Sequence, residues 1–138
     1  MAAGLRPGGV LLDEEGDYGL VTYSGHPDAA RCTELFRRQM EALKAAGVMD
    51  GFLARTLPGL LIDSGLELVG GEVETRIARP GDASFEFHRL SVEAGVRSLI
   101  GSGLTSDVEA ARVLAMLGDP SVVLTSVSVV AAWGRVPT

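Results

Sequence analysis

The sequence predicts one α/β domain in which three strands are distributed among four helices. The chain has 138 residues, which is enough to enclose a single core but not two. Apolar residues make up 46% of it and charged residues 22%, as in globular proteins. Along the chain, apolar residues recur at helical spacing in some segments and alternate or form short runs in others. We therefore interpret residues 1–138 as a single domain.

The first strand is predicted at residues 10–12, an apolar run that follows a proline-glycine turn and ends in acidic residues. The first helix is predicted from Asp28 to about Ala46. Proline at position 27 loses no hydrogen bond at a helix start, and the carboxylate of Asp28 favours the positive end of the helix dipole. Gly47 suits the left-handed residue that closes a helix.

A second, shorter helix is predicted at residues 56–65, with Thr56 as its cap and Gly65 as its stop. The apolar period then changes to two. Apolar positions are even in residues 66–68 and odd in residues 73–77, so the alternation changes phase at Gly70 and Gly71. This change predicts a glycine-centred β-bulge within one strand.

Two further helices and a last strand complete the prediction. The first of these helices covers residues 85–100, with Phe87, Leu90 and Ala94 facing inward. The second opens at residues 106–109, whose sequence SDVE is a capping box. The β-branched residues of the segment 122–133 predict one long central strand.

Three motifs, in this order, resemble the C-terminal half of class I S-adenosylmethionine-dependent methyltransferases. Residues 5–9, LRPGG, resemble the turn before the fifth strand of that family. Residues 57–66, LPGLLIDSGL, resemble the helix that leads into the sixth strand, and residues 131–137, AAWGRVP, resemble the seventh strand and its tail. The resemblance implies a partial Rossmann-like fold with a three-stranded mixed sheet, about four helices and an antiparallel last strand.

The cofactor-binding half of that family is missing from the sequence. Such enzymes hold S-adenosylmethionine on a glycine-rich "D-x-G-x-G" loop after their first strand, and an acidic residue after the second strand holds the ribose. The nearest glycine pattern, at residues 101–106, follows a helix and reads as an interhelical turn. We therefore expect a truncated or split methyltransferase that is inactive alone and does not bind S-adenosylmethionine by itself.

Composition excludes several classes of partner. The net charge of −6 disfavours nucleic acid. The single Cys32 allows no internal disulfide and has no neighbour that would suggest a zinc site, so we expect no metal and a reducing, cytoplasmic setting. No segment has the apolar length of a signal peptide or membrane span, and we expect no membrane association.

The candidate site residues lie after the first strand and on the third helix. Glu14, Asp17 and Tyr18 would stand at the rim of a pocket, because ligands of open α/β sheets bind beyond the carboxyl ends of parallel strands. Phe85 and His88 lie on the helix where the family places a variable substrate lid. We name Glu14 and His88 as candidate catalytic groups and all five as candidate substrate-binding residues, against the alternatives of a solvated acidic turn, an ordinary histidine and a core phenylalanine.

Three functions stay open on the sequence alone. In the first, the chain is the C-terminal portion of a small-molecule methyltransferase, and a complementary N-terminal chain completes it. In the second it is a non-catalytic small-ligand-binding module, and in the third it is a self-associating remnant. The missing strands would leave residues 10–12 at an open sheet edge with an apolar face beside it. We therefore expect a homo-oligomer, with a two-fold dimer as the simplest form, or half of a heterodimer.

Overall fold

A computed structural model describes residues 4–138 of the chain. Within that range the α-helices are α1 (Ala29–Ala45), α2 (Leu57–Asp63), α3 (Ala83–Gly101) and α4 (Asp107–Leu117), with short 3-10 helices at Tyr18–Leu20 and Leu53–Thr56. The strands are β1 (Val10–Asp17), β2 (Thr22–Ser24), β3 (Glu67–Glu74), β4 (Ile77–Ala78), β5 (Val123–Thr125) and β6 (Ser128–Arg135).

These strands form two small sheets, and the predicted fold class is wrong. The first sheet has the order β1-β6-β3 and the second has the order β2-β5-β4. Every neighbouring pair is antiparallel, so the described chain contains neither a mixed sheet nor a parallel Rossmann-like one. The last strand of the first sheet does lie between the other two, and β1 and β3 run parallel to each other on its two sides.

The predicted long strand at residues 122–133 is divided between the two sheets. β5 belongs to the second sheet and β6 to the first, and the chain bends at residues 126–127. Buried residues keep even numbers on both sides of the bend, from Val122 and Leu124 to Ser128 and Val130. Because the alternation does not change phase, the sequence pattern contains no sign of the break. The short strands β2 and β4 were not predicted for a related reason: segments of two or three residues carry no measurable period.

Most predictions made from turn chemistry are confirmed, but the predicted capping box of α4 is only half formed. The bulge in β3 falls between Leu68 and Gly70. Gly47 follows α1 with a φ of 67°, in the left-handed region that glycine adopts most readily. Ser106 caps α4 by accepting a hydrogen bond of 3.2 Å from the backbone N–H of Glu109. The carboxylate of Glu109 does not return the bond but instead accepts one from the hydroxyl of Thr105 at 2.9 Å.

The buried face of α3 differs from the predicted one. Phe87 and Leu90 are 73% and 55% exposed, and Ala94 is also exposed. The side chains that face inward are Phe85 and His88, with Leu99 near the end of the helix. Both faces have helical spacing, and the true one includes a histidine, so hydrophobicity alone favoured the wrong face.

Two hydrophobic clusters stabilise the fold. The larger one joins the second sheet to α1, α3 and α4, and contains buried Phe85, Met116 and Leu124. The smaller one packs α2 and the preceding 3-10 helix against one face of the first sheet, through residues such as Leu61 and Ala132.

The opposite face of the first sheet is exposed. Val10 and Leu12 are 53% and 56% exposed there, whereas Leu11 points to the other face and packs on the smaller cluster. Leu12 lies opposite Trp133, whose indole is partly exposed on this uncovered face. Within residues 4–138 no strand pairs with the outer edge of β1. The predicted combination of an open edge and an apolar face is therefore present.

Candidate functional site

The candidate site lies at the level where three chain segments pass from one sheet to the other. β1 is separated from β2 by residues 18–21, β3 from β4 by residues 75–76, and β5 from β6 by residues 126–127. Hydrogen bonds fasten two of these breaks together. The backbone N–H of Ser126 donates to the carbonyl of Arg76 at 2.9 Å, and the hydroxyls of Thr75 and Ser128 lie 2.6 Å apart. The two sheets therefore separate at the same height along all three connections, which leaves a cleft between them.

A cavity of about 460 Å³ occupies this cleft. The strand breaks and the adjoining strand ends contribute Tyr18, Glu74, Arg76, Ser126, Val127 and Val129. The first two turns of α3 contribute Ala83, Ser84, Phe87 and His88. This volume is in the range of small-molecule sites, and most of the lining is apolar. The cavity can therefore hold a small, largely apolar molecule.

His88 is the most buried polar group in the cavity wall, with 5% of its surface exposed. Its Nε2 atom is hydrogen-bonded to the hydroxyl of Tyr23 on β2. Its ring also packs against the ring of Phe36 on α1, at a centroid distance of 5.2 Å, and Phe36 in turn stacks on Tyr18 at 6.3 Å. Aromatic residues of β2 and α1 therefore hold the imidazole in one orientation.

Burial sets the protonation of this pair. It lowers the pKa of His88 from 6.5 to about 4, because the desolvated imidazolium is unfavourable. It also raises the pKa of the Tyr23 hydroxyl, with a smaller contribution from the nearby Cys32. At neutral pH both groups are uncharged.

An ion pair stands at the cavity mouth. Arg76 Nε donates to a carboxylate oxygen of Glu74 at 2.8 Å, and both side chains are well exposed. Their opposite charges compensate each other, and the pair is worth little as a stabilising contact because water screens it. The cavity therefore presents no net charge from these two residues.

The structure brings only two of the five predicted site residues into the cavity. Tyr18 and His88 line it. Glu14 lies exposed in the middle of β1, opposite Ala131 and outside the cavity. Phe85 is a core residue with 1% exposure, because it lies on the inner face of α3, while Phe87 of the next turn reaches the cavity instead.

Asp17, the fifth predicted residue, is held in an ion pair away from the cavity. Its two carboxylate oxygens accept bonds of 2.6 and 3.1 Å from the guanidinium of Arg55, and one also accepts from the backbone N–H of Gly19 at 2.8 Å. This pairing raises the pKa of Arg55. With its acceptor positions already used, Asp17 serves the turn after β1 rather than a ligand.

The remaining polar candidates have structural roles. His26 accepts a hydrogen bond from the backbone N–H of Asp28 at 3.1 Å and is a turn residue, as predicted. Cys32 lies in the larger cluster, and burial, aided by neighbouring carboxylates, raises the pKa of its thiol to about 11. A thiol with such a pKa is a poor nucleophile at neutral pH.

The residues present do not fit S-adenosylmethionine. The turn at residues 101–103 ends α3, and neither of its glycines lines the cavity. The one carboxylate of the cavity wall, Glu74, is already paired with Arg76. A free carboxylate for the ribose and a glycine loop for the methionine part are therefore both missing from this cavity.

No cluster of His, Cys, Asp and Glu side chains in residues 4–138 has the arrangement of a metal site. None of the helices described is long and apolar enough to cross a membrane. No protein-family model matches the chain, and no curated protein matches it significantly.

Most of the cavity residues that the sequence did not predict come from the strand breaks and the adjoining strand ends, and the others come from the start of α3. Glu74, Arg76, Ser126 and Val127 lie on segments that seemed to be continuous strand or connection. One pattern could have indicated the first break: three consecutive polar residues, at positions 74–76, separate Val73 from Ile77. Nothing in the sequence relates that interruption to residues 126–127, which lie about fifty positions further along.

Proposed function

We propose that this chain is the acceptor-binding part of an S-adenosylmethionine-dependent small-molecule methyltransferase, and that polypeptide outside these 138 residues holds the methyl donor. One observation carries the proposal: the cavity lies at the carboxyl ends of β1 and β3, two strands that run in the same direction on either side of β6. In open α/β sheets ligands bind beyond the carboxyl ends of parallel strands, and β1 and β3 share one direction although each pairs only with antiparallel β6. The three motifs that resemble the methyltransferase family, at residues 5–9, 57–66 and 131–137, support the same reading.

The uncovered face of the first sheet is where we propose that the complementary polypeptide docks. Val129 and Glu74 belong both to this face and to the cavity wall. A chain that covered Val10, Leu12 and Val129 would therefore also close one side of the cavity. This continuity would place a donor held by the partner beside an acceptor held by this chain, because the two sites would share a wall.

The binding part of the proposal is tested by calorimetric titration of the purified chain. We expect no binding of S-adenosylmethionine or S-adenosylhomocysteine below about 1 mM, where association is worth only about 4 kcal/mol. We expect an aromatic ketone of cavity size, acetophenone, to bind and to raise the melting temperature. Binding of S-adenosylmethionine in the micromolar range would refute the division of labour.

The docking part is tested with a matched pair of substitutions on neighbouring residues. Leu12→Lys places a charge on the uncovered face and should abolish association while leaving the monomer folded. Leu11→Lys buries a charge against the smaller cluster and should reduce stability instead. Light scattering of mixtures with a polypeptide that carries the "D-x-G-x-G" loop, together with formation of S-adenosylhomocysteine, measures the first effect. Indifference of that complex to Leu12→Lys would place the interface elsewhere.

A second candidate function is a small-ligand-binding module without catalysis, and the apolar cavity favours it as well. The two are separated by methyl transfer in the presence of the complementary polypeptide. A homodimer, seen by light scattering of the isolated chain, would identify a second copy as the occupant of the uncovered face. A chain that is monomeric and whose melting temperature responds to neither ligand would refute both functions. The proposal includes a reducing, cytoplasmic setting, which the single buried thiol of Cys32 supports.

A further inference from the structure

The polar groups that line the cavity indicate the chemistry of the ligand it would bind. The deepest polar atoms belong to His88, since the charged pair Glu74 and Arg76 stands at the exposed mouth. Tyr18 adds a phenol to the wall. The direction of the bond between His88 and Tyr23 decides whether the imidazole offers the cavity a proton or a lone pair.

The hydroxyl of Tyr23 must donate to His88. That hydroxyl has one hydrogen-bond partner among residues 4–138, the Nε2 atom of His88. If Nε2 carried the proton and donated it, the hydroxyl proton of Tyr23 would be buried without an acceptor, which costs a few kcal/mol. The phenol stays protonated at neutral pH because burial raises its pKa. The Tyr23 hydroxyl therefore donates, and Nε2 accepts.

The remaining proton of the neutral imidazole then lies on Nδ1. A neutral histidine carries one N–H, and if Nε2 is the acceptor, Nδ1 is the donor. In the described chain Nδ1 has no hydrogen-bond partner, yet it is not sealed from solvent. Because His88 lines the cavity and Nδ1 is neither hydrogen-bonded nor sealed from solvent, the cavity is the space into which an Nδ1–H can donate.

We propose that the cavity binds an uncharged, largely apolar molecule whose carbonyl or ether oxygen accepts a hydrogen bond from the Nδ1–H of His88. Tyr23 is the positioning residue, because its own hydrogen bond to Nε2 fixes this tautomer. The inference rests on the proposed function, because it takes the cavity to be the ligand site. It also changes the role of His88, which was a candidate base: a neutral Nδ1–H orients an acceptor and cannot remove a proton from it.

The tautomer is tested first, in the unmodified protein and without any ligand. Two-bond ¹⁵N–¹H correlation spectra of histidine-labelled protein distinguish Nδ1–H from Nε2–H, and the chain has only two histidines. Their signals are assigned with the control variant His26→Gln. We expect the Nδ1–H tautomer for His88 throughout pH 6 to 8 and the opposite tautomer to gain population in Tyr23→Phe. An Nε2–H tautomer or a charged ring in the unmodified protein would overturn the inference.

The ligand preference is tested with two probes of the same shape. Acetophenone has a carbonyl oxygen where α-methylstyrene has a methylene group. One hydrogen bond to a buried donor should favour the ketone roughly five- to tenfold in Kd. We expect His88→Phe to remove this preference, Tyr23→Phe to reduce it, and His88→Asn, which keeps an amide N–H near the position of Nδ1, to restore part of it.

The outcomes separate the two proposals. Equal binding of both probes would refute the hydrogen-bond donor while leaving the cavity as an apolar ligand site. Failure of both probes to bind at millimolar concentration would refute the proposed function and this inference with it. Ketone preference that persists in a folded His88→Phe variant would assign the donor to another residue and overturn the role of His88.

Discussion

Burial of an uncharged histidine makes the stability of this protein sensitive to mild acid. In the folded state the pKa of His88 is about 4, whereas the ordinary value of a histidine, which applies to the unfolded chain, is 6.5. Between these two values the unfolded state binds a proton that the folded state does not. Stability therefore rises with pH in this window and falls as the pH is lowered from 6.5 towards 4.

The size of the effect follows from the two pKa values. Each unit of difference corresponds to about 1.4 kcal/mol, so acidification from pH 7 to pH 4.5 should cost about 2.5 kcal/mol through His88 alone. The two rings that contact the imidazole do not offset this. Tyr23 stays protonated in this range, because burial raises its pKa, and Phe36 does not titrate.

The assay is urea unfolding at pH 7, 6, 5 and 4.5 for the unmodified protein and for His88→Gln, which keeps an amide near the Tyr23 hydroxyl. Carboxylates such as Asp50 and Glu86, whose pKa values hydrogen bonds lower, lose stabilising contacts in acid in both proteins and cancel in the difference. We expect His88→Gln to be the less stable protein at pH 7 and the gap to close by about 2.5 kcal/mol at pH 4.5. Parallel curves, with a change below about 1 kcal/mol, would refute the buried neutral histidine.

Two substitutions test the packing around the first sheet. An alanine Cβ at Gly19 would lie 1.8 Å from a guanidinium nitrogen of Arg55, so Gly19→Ala must displace that half-exposed side chain. We expect Gly19→Ala to lower the free energy of unfolding in urea by about 1 kcal/mol, and we expect this loss almost to disappear when Arg55 is also replaced by Met. A loss of the same size with Arg55 and with Met at position 55 would show that the backbone, and not the guanidinium, causes it. Trp133→Ala should lower the free energy of unfolding by about 2 kcal/mol. This is less than the cost of removing a fully buried indole, because Trp133 packs over Gly70 and is only partly buried. A loss above about 3 kcal/mol that grows with protein concentration would show instead that another chain covers the indole.

The sequence was most informative where local chemistry decides the structure. The bounds of helix α1 lie within one residue of the prediction, and its end follows from the left-handed conformation of Gly47, although Pro27 precedes the cap residue Asp28 instead of occupying the first helical position. The bulge in β3 is predictable for the same reason, since a phase change in alternation has to be absorbed by an extra residue. These features depend on a few neighbouring residues and not on the rest of the fold.

The candidate site was only partly predictable. Tyr18 and His88 were named from the sequence, and both line the cavity. Glu14 and Phe85 were named with them, but Glu14 lies further along β1, outside the cavity, and Phe85 points into the core. A strand or helix presents its residues to different sides, and which side becomes cavity depends on the elements that pack against it.

By itself, the sequence determined an α/β chain with four helices, their approximate ends, the bulge and the chemical types available to a site. Only the tertiary structure decided that the strands form two antiparallel sheets, that α3 turns His88 inward and Phe87 outward, and that residues 75–76 and 126–127 meet. Helix ends and turns are settled by energies within a few residues, which composition and spacing reveal. The pairing of strands and the choice between two possible buried faces are settled by contacts between distant segments, which no local pattern encodes.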